Sequence, residues 1–204
     1  MFKFSTRKIA FSAVVAALYV GLTLASMPIA YGVVQFRISE ALCVLPFFFP
    51  FSVWGIFAGC IVANLFSPYI FPDIVIGPVA SLLAALCTMY IGKMKSNESL
   101  AIKAFACFPP VFFNAILIGA MIADLMIGYG DYFGSTIVAV VSGNAEVSNA
   151  FFSAFITNML WVGLGQMVVL YVLGLPLMVY LQKSTLFEKL KALYNNEKGL
   201  SNES

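Results

Sequence analysis

Ile38-Ser39-Glu40-Ala41-Leu42-Cys43-Val44-Leu45-Pro46-Phe47-Phe48-Phe49-Pro50-Phe51, continued by an apolar run to Tyr69, decides how this chain folds. As one straight α-helix the block would be about 48 Å long, against a bilayer hydrocarbon core of about 30 Å. Pro46 and Pro50 both disfavour such a helix, because proline lacks the amide hydrogen and its ring clashes with the preceding turn. The block therefore divides into two short spans, over about 38–50 and 52–67. Just upstream, Val33-Val34-Gln35-Phe36-Arg37 brings a glutamine and an arginine to the edge of the apolar block that carries Glu40. An ionisable group at bilayer depth needs a partner, a ligand or water to offset its insertion.

The rest of the sequence supports a membrane setting. It is 62% hydrophobic and only 10% charged, with a mean hydropathy of +0.98, well above the usage of soluble domains. At about 20 residues per spanning helix, the 204 residues accommodate six spans and no soluble catalytic or nucleotide-binding domain. A phosphate-binding Gly-x-x-x-x-Gly-Lys-Ser/Thr run is absent. Histidine is absent too, and Cys43, Cys60, Cys87 and Cys107 are scattered through apolar segments, which reads as packing rather than metal or disulfide chemistry. No catalytic residue, metal site or cofactor is expected.

Outward from the central block, Lys3, Arg7 and Lys8 precede a first span over about 9–27, ended by Pro28. Its length and the poor cleavage context Ala25-Ser26-Met27-Pro28 mark it as a retained helix rather than a signal peptide. Ala13, Ala17, Gly21 and Ala25 recur every fourth position and share one helix face, suited to close approach of another helix, inside the chain or on a separate subunit. Further spans are expected over about 74–92, 104–123 and 150–181, the last with a break near Gly174 and Pro176. Ile137–Val141 is too short to span and reads as a lid or re-entrant piece. Residues 1–182 thus form one all-α transmembrane domain, followed by a polar tail, 183–204, with an amphipathic start at Leu186, Phe187, Leu190 and Leu193.

Six spans put both termini on one side, together with Lys93, Lys95, Lys103, Lys183, Lys189, Lys191 and Lys198, and leave only Arg37 opposite. The positive-inside rule makes that lysine-rich side cytoplasmic. The outer side then collects Arg37, Glu40, Asp73, Asp124, Asp131 and Glu146. No internal repeat is evident, which argues against an inverted-repeat carrier.

Gln35, Arg37 and Glu40 at the outer end of span two, Asn64, Asp73, Asn114, Asn158, Trp161 and Gln166 form a set suited to a flat, hydrogen-bonding heterocycle. A carboxylate accepts two neighbouring N–H donors, amides donate and accept, and an indole offers a stacking face. The competing reading of each amide is interhelical contact, worth about 1 kcal/mol; that of Glu40 is pairing with Arg37. Gly128-Tyr129-Gly130-Asp131 has the look of an intramembrane aspartyl protease signature, but the second carboxylate on a facing helix that such chemistry requires is missing.

Several stretches carry a resemblance. Val34-Gln35-Phe36-Arg37-Ile38-Ser39-Glu40-Ala41-Leu42, Asn64-Leu65-Phe66-Ser67-Pro68, Asp73-Ile74-Val75-Ile76-Gly77, Phe113-Asn114-Ala115 and Gly163-Leu164-Gly165-Gln166 resemble the QueT family. These are substrate-binding subunits (S components) of energy-coupling-factor importers. The resemblance implies a multi-pass plasma-membrane protein that captures a queuosine precursor (queuine, queuosine or a related 7-deazaguanine) from outside and binds no nucleic acid. It implies as partners an EcfT-type transmembrane coupling protein and two cytoplasmic ATPases, with an Ala-x-x-x-Ala face, matched by Ala13 and Ala17 and extended by Gly21, as the docking surface. It also implies ligand contacts from Glu40 or Asp73 to the guanine-like N1–H and 2-amino edge. Asn114 and Gln166 would bind the carbonyl and pyrrole N–H, Arg37 and the 28–36 loop would cover the site, and outer acids such as Asp124 would attract queuine's ammonium. An S component for another vitamin, a stand-alone proton-coupled carrier using Asp73 or Asp124, and a membrane enzyme are the alternatives; the last lacks any nucleophile or paired acid.

Overall fold

A chain this apolar must satisfy its backbone hydrogen bonds internally, and every element among the described residues is helical. The computed structural model describes residues 6–31, 34–94, 99–128, 133–185, 187–189 and 192. Helix α1 is Thr6–Ala25, and α2, Met27–Ala30, is a single turn with Pro28 at its start. A 3-10 helix, Ile38–Phe47, leads through residues 48–51 to α3, Ser52–Asn64, and α4 is Ile70–Met94. Helices α5, Leu100–Ala106, and α6, Phe108–Ile127, meet at Cys107. The short α7, Ser135–Val141, precedes α8, Ala145–Val168, which passes through a π-helical turn, Val169–Gly174, into α9, Leu175–Lys183.

Among the described residues, four segments are long and apolar enough to cross a membrane: Thr6–Ala25, Phe71–Met94, Leu100–Ile127 and Ala145–Lys183. The central block is indeed two helices, but both are short, and the first is 3-10 rather than α. At about 2.0 Å rise per residue it is about 20 Å long. Its residues from Ser39 to Phe47 are all buried by neighbouring helices, which is the condition for irregular backbone at membrane depth. Eclipsed side chains at i and i+3, the mark of this helix type, stack Cys43 on Glu40.

Within the bundle α6 packs along α8, α1 along α3, and α4 lies between α3 and α6. The α1–α3 seam is set by two glycines. A Cβ at Gly55 would overlap the Ser12 carbonyl oxygen, and one at Gly59 would stand 2.9 Å from both the Ala16 carbonyl oxygen and Tyr19 Cβ. Helix α1 therefore packs inside the chain through Ser12, Val15, Ala16 and Tyr19. Ala13, Ala17, Gly21 and Ala25 all lie on its exposed face, and a Cβ at Gly21 would meet nothing within 4 Å.

The break expected near Gly174 and Pro176 is the π-helical turn, where Gly174 approaches Val44 of the 3-10 helix. The start of the tail is not free: Phe187 is buried, its ring 5.1 Å from that of Phe48 and 5.7 Å from that of Phe49. Lys3, Gly32, Val33, Lys95, Tyr129, Gly130, Asp131, Leu186, Leu190, Lys191, Leu193 and Lys198, singled out in the sequence, lie outside the described residues.

Candidate functional site

The connection between α2 and the 3-10 helix makes a tight turn in which Gln35, at φ 48°, occupies the left-handed region and the Arg37 amide donates to its carbonyl at 3.0 Å. Positive φ is unfavourable for a residue with a Cβ and persists only where surroundings impose it. Here α8 does so: any Cβ at Gly165 would overlap the Val34 carbonyl oxygen. Gln35 is buried at this crossing, and so is Gln166, the residue after that glycine.

The turn delivers Arg37 into the interior, where its Nη2 lies 3.4 Å from Asp73 Oδ2 near the start of α4. The same oxygen accepts a short hydrogen bond from the Ser67 hydroxyl. Burial alone would depress the guanidinium, but Asp73, with lesser help from Tyr19, Cys60 and Tyr31, outweighs it, so Arg37 is held above its ordinary value and stays charged. The Tyr31 ring covers it at 4.9 Å, in cation–π range. Tyr31 Oη donates to the Ala63 carbonyl at 2.9 Å and to Asn64 Oδ1 at 3.5 Å, while Asn64 Nδ2 donates to the Asp73 carbonyl at 2.7 Å. Among the described residues, buried Arg37 Nε, Asp73 Oδ1 and Gln166 Oε1 make no hydrogen bond. Unmet valences at nearly full burial are uncommon, and each leaves a position open to a polar partner.

Glu40 belongs to a different cluster. It is 0% exposed, and its carboxylate accepts from Tyr19 Oη of α1 at 2.5 Å, Ser81 Oγ of α4 at 3.2 Å and Cys43 Sγ at 3.0 Å. Two elements, α1 and α4, are thereby tied to the 3-10 helix, and Arg37 is not its partner. Asn114 is likewise buried, its Nδ2 bonding back to the Pro110 carbonyl at 3.0 Å. Asp124, buried at the end of α6, uses both carboxylate oxygens on backbone amides of the α7 start, Gly134 at 2.7 Å and Ile137 at 3.4 Å.

A cleft of about 740 Å³ opens beside these groups, between α6, α8 and the segments that follow α2 and α3. Its walls are aromatic (Tyr31, Tyr69, Trp161), apolar (Ile122, Met126) and polar without charge (Ser153, Thr157, Asn158). Asn158 Nδ2 donates to the Ala154 carbonyl at 2.8 Å and approaches Met126 Sδ at 3.2 Å. Tyr31 belongs both to the cleft wall and to the cover over Arg37 and Asp73. The volume, the aromatic faces and the few polar groups fall in the range of small-molecule pockets.

Of the residues expected from the sequence, Asn158 and Trp161 line the cleft. Arg37, Asp73 and Asn64 form the cluster behind Tyr31, Gln35 and Gln166 sit at the Gly165 crossing, and Glu40 and Asn114 bond to protein groups elsewhere. Tyr31, Tyr69, Met126, Ser153 and Thr157 were missed. For two of them the signal was there: Ala150, Ser153, Ala154, Thr157, Asn158 and Trp161 recur at helical spacing, a small and polar stripe along an apolar helix.

The chain is similar to the queuosine precursor transporter QueT of Lactococcus lactis subsp. cremoris (strain MG1363), 36% identical over 85 residues, 41% of this chain. The match spans 50%, about half, of that relative's length. No solved structure matches. The model of the QueT transporter family matches residues 9–183, from the first turn of α1 to the end of α9, and the chain therefore belongs to the QueT transporter family.

Proposed function

We propose that this chain is the substrate-capturing subunit of an energy-coupling importer in the plasma membrane, and that its ligand is a queuosine precursor, a 7-deazaguanine. The observation that carries the reading is the uncharged, aromatic-walled cleft on α8, backed by a buried Arg37–Asp73 pair with open valences. A deazaguanine is flat, with an amidine edge and a carbonyl. Trp161, Tyr31 or Tyr69 offers its stacking face and Asn158 an amide partner. Asp73 Oδ1 accepts the N1–H or 2-amino hydrogen, and Arg37 Nε donates to the carbonyl once Tyr31 yields. Gln35 and Gln166 supply further amides at the crossing, and Asn64 holds Asp73 in place. Glu40 and Asn114, expected from the resemblance to touch ligand, act in this reading by fixing the 3-10 helix and α6.

In this arrangement the two short central helices form a buried hairpin that completes six spans, with both termini and the lysine-rich ends cytoplasmic. Ala13, Ala17 and Gly21 present a small-residue face for an EcfT-type coupling protein working with two ATPases. The exposure of that face supports docking over internal packing. The chain itself binds and carries out no catalysis.

The experiment is a binding screen on the purified protein in lipid nanodiscs, following the fluorescence of Trp161, with guanine, queuine, the 7-aminomethyl and 7-cyano deazaguanines, queuosine, riboflavin and folate. Tight binding of a deazaguanine, with no transport into proteoliposomes unless coupling protein and ATPases are supplied, is the expected result. Tight binding of riboflavin or folate instead would move the chain to another vitamin. Unaided, proton-dependent transport would make it a stand-alone carrier.

A further inference from the structure

We propose that Tyr31 is a side-chain gate that closes an inner polar subsite on Arg37 and Asp73, and that this subsite selects ligands by a lactam edge, a ring N–H beside a carbonyl. The inference deepens the deazaguanine reading of the cleft and rests on it. Tyr31 is half-buried; it stands in the cleft wall and also lies over the Arg37 guanidinium, its ring centroid 4.9 Å from Cζ. Behind the ring, Arg37 and Asp73 are 2% and 0% exposed, yet Arg37 Nε and Asp73 Oδ1 have no hydrogen-bond partner among the described residues. One is a donor and the other an acceptor, carried by the two members of one ion pair. The Ser67 hydroxyl is committed to Asp73 Oδ2 and the Asn64 amide to the Asp73 carbonyl, so neither answers these two atoms. Gly77, one turn after Asp73 on α4, leaves this wall bare: a Cβ there would overlap Asn64 Nδ2 and stand 3.7 Å from Arg37 Nη1.

The latch on Tyr31 is light. Its hydroxyl donates to the Ala63 carbonyl at 2.9 Å and to Asn64 Oδ1 at 3.5 Å, and its ring adds the cation–π contact. The Ala63 carbonyl also accepts from the Phe66 amide at 3.1 Å, so it keeps a partner when the hydroxyl leaves. Tyr31 follows the single turn of α2, and its own amide reaches the Met27 carbonyl only at 3.4 Å. A compound that merely fills the cleft gains nothing by moving the ring. A lactam edge does: its carbonyl accepts from Arg37 Nε and its N–H donates to Asp73 Oδ1. Both bonds are charge-assisted and therefore stronger than the neutral hydroxyl bonds they replace. The cleft thus selects for flatness and size, and the subsite behind Tyr31 for the hydrogen-bonding edge.

Stopped-flow binding to the full chain in nanodiscs, read by Trp161 fluorescence, tests the gate with 7-aminomethyl-7-deazaguanine and its 1-methyl derivative, which keeps the ring but lacks the N1–H. The parent compound should bind in two phases, a concentration-dependent capture and a slower step whose rate saturates, and the methylated compound in the first alone. Tyr31→Phe keeps the ring and removes the latch. It should speed the saturating step and tighten binding of the parent about fivefold, leaving the 1-methyl compound unchanged. Tyr31→Ala should abolish the slow phase. Weaker binding of the parent in Tyr31→Phe, or a single phase for both compounds that Tyr31 substitutions do not alter, overturns the gate and leaves the deazaguanine reading standing. Failure of the parent compound to bind the wild-type protein overturns the two together.

Discussion

Trp161, exposed on α8, and Tyr19, fully buried in α1, are aromatics with opposite duties. Trp161 faces the cleft, so Trp161→Ala removes a stacking surface and should weaken ligand binding about tenfold with little change in thermal stability. Tyr19 is 0% exposed and gives its hydroxyl to Glu40. Tyr19→Phe should lower stability by roughly 1 kcal/mol and leave affinity as it was. Binding titrations and detergent melts on the same two samples separate the cases; a loss of affinity in the Tyr19 variant would return Glu40 to the ligand site. At this scale the sequence was only half legible. That Glu40, Arg37 and Asp73 need company follows from charge beside hydrocarbon. Which company cannot be read, because Tyr19 and Ser81 come from other helices and Ser67 from the connection after α3, and none carries a marker of the carboxylate it will face.

Helix α1 separates two effects of side-chain size. On its inner face Gly55 and Gly59 of α3 touch the backbone, so Gly59→Leu forces the helices apart and should destabilise the protein by about 1–3 kcal/mol. On the outer face Ala13→Leu meets nothing in the chain and should leave the melting temperature and ligand affinity unchanged while abolishing uptake in cells. Uptake surviving in the Ala13 variant would put docking elsewhere. The outer ladder was visible in the sequence as a four-residue repeat. The Gly55–Gly59 pair has the same signature and was passed over, since an all-apolar helix does not announce which of its faces is inside. The presence of α1, α4 and α6 follows from apolar run lengths, though their ends lie two to four residues from those expected, and the break falls at Val169–Gly174, running up to the expected Gly174. The 3-10 form of Ile38–Phe47 does not follow from run length, because it depends on burial by five neighbouring segments.

For the molecule as a whole, the proposed six-span arrangement makes opposite ends of the bundle chemically distinct. In a background with the native cysteines replaced, a cysteine at Ser142, beyond α7, should react with a membrane-impermeant maleimide in intact cells. One at Ser184, beyond α9, should react only after permeabilisation. Labelling of both from outside would require a different number of crossings. The cleft includes Met126, near the end of α6, and Ala150, near the start of α8, while Lys93 and Lys183 close α4 and α9.

The π-helical turn at Val169–Gly174 separates the two halves of the longest rod in the fold. Such a turn holds one residue more than an α-helical turn, which advances everything beyond it by about 100° around the axis. Upstream, the phase of α8 directs Ser153, Thr157 and Trp161 at the cleft. Downstream, the shifted phase brings Met178 of α9 inward, its Sδ 3.9 Å from Cys107 Sγ. The turn is thus a phase adjuster: it lets the ligand-facing half and the inner anchoring half of one continuous helix each be in register with its own neighbours, so that neither dictates the rotation of the other.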